Sequence, residues 1–214
     1  MQFMNDFDSF KRHLKLQLEK PLPGLKAHEL LMPEERKVML KAKPDLTKAR
    51  KAGVLLLFYP ENNKIRIVFI ERSKYEGVHS GQIAFPGGQY EKQDDDLQQT
   101  ALRETEEEIG IRRDTIKIFG KLSEIYIPPS NYIVLPVVGC IDYIPSFILD
   151  KSEVENVITF PIESFLKEEV LQFETIKIDN NFAKNVPCFK VDGHIIWGAT
   201  SMMLSELLNL LKNF

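Results

Sequence analysis

At 214 residues the chain is long enough for one sizeable domain with additions at its ends, and a formal net charge of −3 gives no overall basic field for nucleic acid. Hydrophobic residues make up 43% and charged residues 28%, as in an ordinary soluble globular protein, and the longest apolar runs (residues 54–58 and 195–197) are far too short to span a bilayer. The opening MQFMNDFDSFKRH carries early acids and no unbroken apolar segment, so it does not read as a secretory signal.

Residues 3–19 place Phe3, Phe7, Phe10, Leu14 and Leu18 at helical spacing, and Pro21, Pro23 and Gly24 stop that helix. A second helix is expected over residues 33–43, where Pro33 at a first turn precedes EERKVMLKAK. Residues 1–48 therefore read as an N-terminal helical extension and residues 49–214 as the main domain. From Ala52 the pattern changes to AGVLLLFYP and KIRIVFIER, two strand-like runs joined by Glu61-Asn62-Asn63, which predicts a hairpin. A polar, Gly-containing loop (YEGVHSGQ) leads into IAFPGGQY. Residues 94–109 read as a helix with acids at its start and Gly110 as its C-cap. Strands are expected at 116–126, 132–141, 154–160 and 171–178, and a last helix over 199–211. The order gives an α/β (α+β) protein, without the βαβ alternation of a doubly wound sheet. Cys140 and Cys188 sit in apolar or strand-like surroundings with no CxxC spacing, so two buried thiols and a reducing cytoplasm are expected.

The segment that demands chemistry is Leu102-Arg103-Glu104-Thr105-Glu106-Glu107-Glu108-Ile109-Gly110-Ile111. Four glutamates crowd the C-terminal end of the predicted helix, where each carboxylate costs about 0.3–1 kcal/mol against the dipole. Glu104 lies at i,i+3 and i,i+4 from Glu107 and Glu108, a spacing at which like charges repel by about 0.2–0.5 kcal/mol per pair. Solvated decoration of a helix face is the common reason for such a run. Convergent carboxylates at one helix end are also what a hard divalent cation needs. Arg103 beside them offers a fork of donors to hold a carboxylate. The preceding Phe85-Pro86-Gly87-Gly88 lets backbone approach a ligand closely.

In this order the two pieces resemble the Nudix hydrolases, whose box is a Gly, five residues, a Glu, seven residues, then Arg-Glu-apolar-any-Glu-Glu-any-Gly-apolar. The second half stands at 103–111, with Thr105 in the first apolar slot. Fourteen residues separate Gly88 from Arg103, one more than usual, and Asp94 or Asp95 stands where Glu is expected. The expansion is similar to the coenzyme A diphosphatase branch. So are Glu71-Arg72-Ser73, His79-Ser80-Gly81-Gln82, Thr100-Ala101-Leu102, Pro128-Pro129-Ser130, Leu135-Pro136-Val137-Val138-Gly139 and Ile196-Trp197-Gly198-Ala199-Thr200. The branch usually carries an Arg two positions before the His, where this chain has Gly77.

The resemblance implies a Nudix-like mixed sheet sandwiched between helices. It implies Mg²⁺ or Mn²⁺ held by Glu104, Glu107 and Glu108 with the Gly88 carbonyl, and a small-molecule nucleotide substrate in place of nucleic acid or membrane. Arg103 and Glu107 are grouped with the catalytic residues. Glu153 and Glu155 are the candidate general bases, each also readable as a surface acid at a strand end. Arg72, His79, Gly87 and Gly88 are candidate substrate contacts, with Arg72 suited to a phosphate and His79 open between a phosphate contact and a loop hydrogen bond. Phe85 and Trp197 are expected in the core. The implied reaction is hydrolysis of the diphosphate of coenzyme A or a derivative. ADP-ribose, a dinucleotide or a nucleoside triphosphate stay open as substrates, as does a non-catalytic nucleotide-binding module. The N-terminal helices leave a homodimer open.

Overall fold

The computed structural model describes residues 6–73, 81–178 and 181–212, with the side chains of 177, 178 and 181–184 outside the description. Helix α1 (Phe7–Leu18) is capped by Asp6, and α2 (Leu25–His28) and α3 (Glu34–Lys41) complete the N-terminal segment. Pro33 sits at the N-cap of α3, one position before the N1 place expected for it.

Strands β1 (Arg50–Glu61) and β2 (Lys64–Arg72) form the expected hairpin. Asn62 and Asn63 both take positive φ, 50° and 57°, the left-handed pair that suits a tight hairpin turn. Two short strands follow, β3 (Ile83–Ala84) and β4 (Gly87–Gln89), which the sequence pattern is too brief to reveal. Helix α4 (Leu97–Ile109) starts three residues later than expected, because Asp96 is its N-cap and accepts the Gln99 N–H at 2.8 Å. It ends on Gly110 at φ 73°, as the sequence indicates.

The run expected as one strand over 116–126 divides into β5 (Lys117–Lys121) and β6 (Ile125–Ile127). Strands β7 (Tyr132–Cys140), β8 (Val154–Pro161) and β9 (Leu171–Ile178) follow expectation closely, whereas β10 (Asn181–Val191) and β11 (His194–Trp197) are additions. Helix α5 (Gly198–Leu211) closes the chain's described part.

The larger sheet has the order β3-β2-β1-β7-β5, with β4 on β1, β6 on β7 and β8 on β2. β1 and β7 run parallel and the other pairs in it are antiparallel, so the sheet is mixed. Alternation along β1 explains its unbroken apolar run. Leu55, Leu57 and Tyr59 face α4, while Leu56 and Phe58 join α1 and α5 on the other face. Gly53 lets α4 lie close to the sheet, since a Cβ there would stand 2.1 Å from the Leu97 carbonyl oxygen. A second sheet, β11-β10-β9, adds Phe189, Val191 and Ile196 to the α5 side of the core.

The N-terminal segment is built into this core: Phe10, Leu14 and Leu31 are fully buried in the same cluster as Phe58 and Leu204. Helix α5 is consequently buried on almost every side, polar Ser205 and Glu206 included, where its sequence suggests a single apolar face. Cys140 and Cys188 are free and buried, and burial pushes the Cys140 thiol up to about 12. Phe85 is in the core, stacked on Phe69 at 4.8 Å, but Trp197 is only half-buried. Among the described residues no helix is long and apolar enough to cross a membrane.

Candidate active site

The site forms where α4 lies over β4. Asp94 stands before the helix and turns back onto it, its carboxylate accepting from the Glu91 N–H at 3.0 Å and the Thr100 hydroxyl at 2.8 Å. It meets Arg103 side-on: Nε donates to Oδ1 at 2.8 Å and Nη2 to Oδ2 at 3.0 Å, the bidentate geometry for which guanidinium is preorganised. Of Asp94 and Asp95, it is Asp94 that pairs with Arg103. Arg103 holds its carboxyl well below the usual range, outweighing burial. The spacing alone does not separate the two aspartates.

Arg103 reaches further. Its Nη1 lies 2.8 Å from Glu107 Oε2 and 3.0 Å from Glu104 Oε1, and Nη2 donates to the Gln89 carbonyl at 3.1 Å. One buried guanidinium thus ties three carboxylates and strand β4 together, and it acts as a positioning group. The Gln89 carbonyl is a partner that no sequence signal marked. Glu104 is itself mostly buried, and burial raises its pKa against the pull of Arg103.

Glu108 faces the sheet and is 1% exposed. Its Oε2 accepts the Gly87 N–H at 2.8 Å, while its Oε1 is buried with no hydrogen-bond partner. Burial, opposed by the Gly87 N–H and by Arg72, raises this carboxyl to about 8. Arg72 Nη1 stands 3.7 Å from Oε1. The Gly87 N–H is thus taken by a carboxylate. Gly88 keeps room for Glu104: a Cβ there would fall 2.4 Å from Glu104 Oε2.

Of the two candidate bases, Glu153 is exposed and close enough to raise both Glu104 and Glu108 by charge repulsion. Glu155 sits at the register shift where β8 pairs with the end of β2 and is exposed. His79 and Gly77 lie outside the described residues.

The donors suit a hard cation: carboxylate oxygens at one helix end, one of them buried and unpartnered, beside a backbone that approaches closely. Among the described residues no three His, Cys, Asp or Glu side chains converge as a ready-made cage. Glu104 and Glu107 turn to Arg103 instead.

Known proteins resemble this chain in sequence and in fold. The chain is 36% identical over 129 residues to Nudix hydrolase 15, mitochondrial, of Arabidopsis thaliana, covering 59% of this chain and 45% of that protein. It is 29% identical over 143 residues to the mitochondrial coenzyme A diphosphatase NUDT8 of Homo sapiens, covering 66% of this chain and 61% of that protein. The chain therefore spans about half to three fifths of the length of these relatives. The crystal structure of a MutT/nudix family protein from Enterococcus faecalis shares the fold, with a TM-score of 0.51 at 14% identity over 97% of this chain and 75% of that one. A family model for the NUDIX domain matches residues 49–185, which include β1 through β9 and every acid of the α4 site, and the chain belongs to the Nudix family.

Proposed function

We propose that this chain hydrolyses the diphosphate of coenzyme A or its derivatives with the help of Mg²⁺ or Mn²⁺, giving adenosine 3′,5′-bisphosphate and 4′-phosphopantetheine. The observation that carries the reaction type is the buried Oε1 of Glu108, which has no hydrogen-bond partner, beside two further acids of the same helix. Burying a carboxylate costs several kcal/mol, roughly; the Gly87 N–H on Oε2 and Arg72 at 3.7 Å from Oε1 offset part of that cost, and a divalent cation would offset more.

Glu104, Glu107 and Glu108, with the Gly88 carbonyl, would hold the ion. Bound there, it would neutralise charge on the diphosphate oxygens and lower the pKa of a water. Arg103 keeps Glu104 and Glu107 on one side of the helix end, and the Gly87 N–H fixes Glu108. Arg72, partly exposed beside Glu108, would receive a substrate phosphate. Glu153 is the stronger candidate for the base that takes the water's proton, because it lies within charge-coupling range of Glu104 and Glu108.

The substrate assignment rests on likeness to relatives named coenzyme A diphosphatases and on the shared segments around the box. Gly77, where that branch usually has Arg, favours a second reading: the same reaction on ADP-ribose or a nucleoside triphosphate. A cytoplasmic setting and a homodimer belong to the proposal.

Incubation with coenzyme A and Mg²⁺ or Mn²⁺, with products identified by mass, tests it. Metal-dependent release of 4′-phosphopantetheine, lost in Glu107→Gln, is the expected result. Cleavage of ADP-ribose but not of coenzyme A would install the second reading. Inactivity on all of them would leave a nucleotide-binding module.

A further inference from the structure

Away from α4, a cleft of about 380 Å³ opens between α2, the C-terminal half of α5 and the segment around Phe165 to Leu171. Its floor is apolar, formed by Phe165, Phe189, Leu208 and Leu211, each of which is at most 5% exposed. Leu30 extends the apolar wall outward and is 55% exposed. Part of the remaining lining is charged. Lys26, Lys167 and Lys212 stand at the edge, all exposed, and among the described residues none of them makes an ion pair. Glu168 is the single acid of the lining, so the cleft carries a local charge of +2 on a chain whose net charge is −3.

An apolar floor bordered by ammonium groups that make no ion pair among the described residues is complementary to a hydrocarbon chain with an anionic head. The cleft volume falls at the small end of ligand sites. Taking a methylene as about the size of a water molecule, roughly 30 Å³, it accommodates a chain of about ten to twelve carbons. We propose that this cleft binds a medium-chain fatty carboxylate, with the chain on Phe165, Phe189, Leu208 and Leu211 and the carboxylate among Lys26, Lys167 and Lys212. The lysine stems extend the apolar walls while their heads stay in water beside the anion. The site is separate from the box and is independent of the reaction proposed there.

Calorimetric titration with dodecanoate tests the site. One saturable site is expected, weakened at least tenfold by the double charge reversal Lys167→Glu with Lys212→Glu, and also by Leu30→Glu. All three positions are exposed, so an unchanged thermal midpoint will show that the variants fold. Dodecyltrimethylammonium, with the same chain and a cationic head, is expected not to bind the unaltered protein. Glu104→Gln is expected to bind dodecanoate as the unaltered protein does. Absence of saturable binding, equal affinity for the cationic amphiphile, indifference to lysine reversal, or loss of binding in Glu104→Gln would each overturn the proposal. A dimer dissociated by Leu30→Glu would assign the cleft to a second copy and overturn it equally.

Discussion

His28 Nε2 lies 2.8 Å from Glu206 Oε2, and the two side chains are 5% and 0% exposed. The contact joins α2 to α5 across the N-terminal segment. Glu206 also accepts the Gly24 N–H at 3.0 Å and the Ser123 hydroxyl at 2.7 Å, so one carboxylate ties α5 to two other parts of the chain. Removing one partner of such a buried pair strands the other. Glu206→Ala is expected to cost about 3–5 kcal/mol, read from urea unfolding.

Acid should act on the same contact. Burial pushes the Glu206 carboxyl up, but hydrogen bonds from His28, Ser123 and the Gly24 N–H outweigh it and leave the folded value below the ordinary 4.5. A depressed acid stabilises the fold fully above its unfolded pKa and loses that contribution as pH falls through the folded one. The stability gap between the unaltered protein and Glu206→Gln should therefore narrow as pH is lowered from about 4.5. A gap that stays constant down to acid unfolding would contradict this account.

Asp94 and Asp95 are neighbours with different work. Asp94 is paired with Arg103 in a nearly dry setting, and Asp95 is exposed. Asp94→Asn should lower stability by about 3–5 kcal/mol and reduce turnover, because Arg103 would no longer be anchored to hold Glu104 and Glu107. Asp95→Asn should stay within about 0.5 kcal/mol of the unaltered protein. Thermal unfolding and a turnover assay on the two variants settle the comparison.

Adjacent glycines should fail in opposite ways. At Gly87, φ is 141° and a Cβ would stand 2.3 Å from the Gly53 carbonyl oxygen, so Gly87→Ala collides with backbone and should unfold or lose about 1–3 kcal/mol. At Gly88 the nearest obstacle is the end of a side chain, Glu104 Oε2 at 2.4 Å. Gly88→Ala should fold, with Glu104 displaced and activity down by roughly 10–100-fold, the usual scale for disturbed metal ligation. Circular dichroism and kinetics together distinguish the two outcomes.

A general base contributes about 10²–10⁴-fold to rate. Glu153→Gln should lower kcat by that order while leaving the thermal midpoint unchanged, and Glu155→Gln should leave both unchanged. The reverse pattern would transfer the role to Glu155.

Much of the architecture is legible in the chain itself, for local reasons. The β1–β2 hairpin follows from two apolar runs around paired asparagines, and the end of α4 from Gly110. The acids of α4 announce themselves because four glutamates at the negative end of a helix dipole are locally unfavourable. Contacts between residues far apart in sequence were beyond such reasoning. Only the tertiary structure selects Asp94 over Asp95, since both spacings are local and the decision rests on which carboxylate the fold turns toward Arg103. Only it shows that α5 is buried on nearly all sides, because the covering surface comes from residues about 180 positions earlier, as the His28–Glu206 and Ala27–Ser205 hydrogen bonds record. A sequence pattern reports how each segment divides apolar from polar, whereas the partner of a buried charge is decided by the chain's path through space.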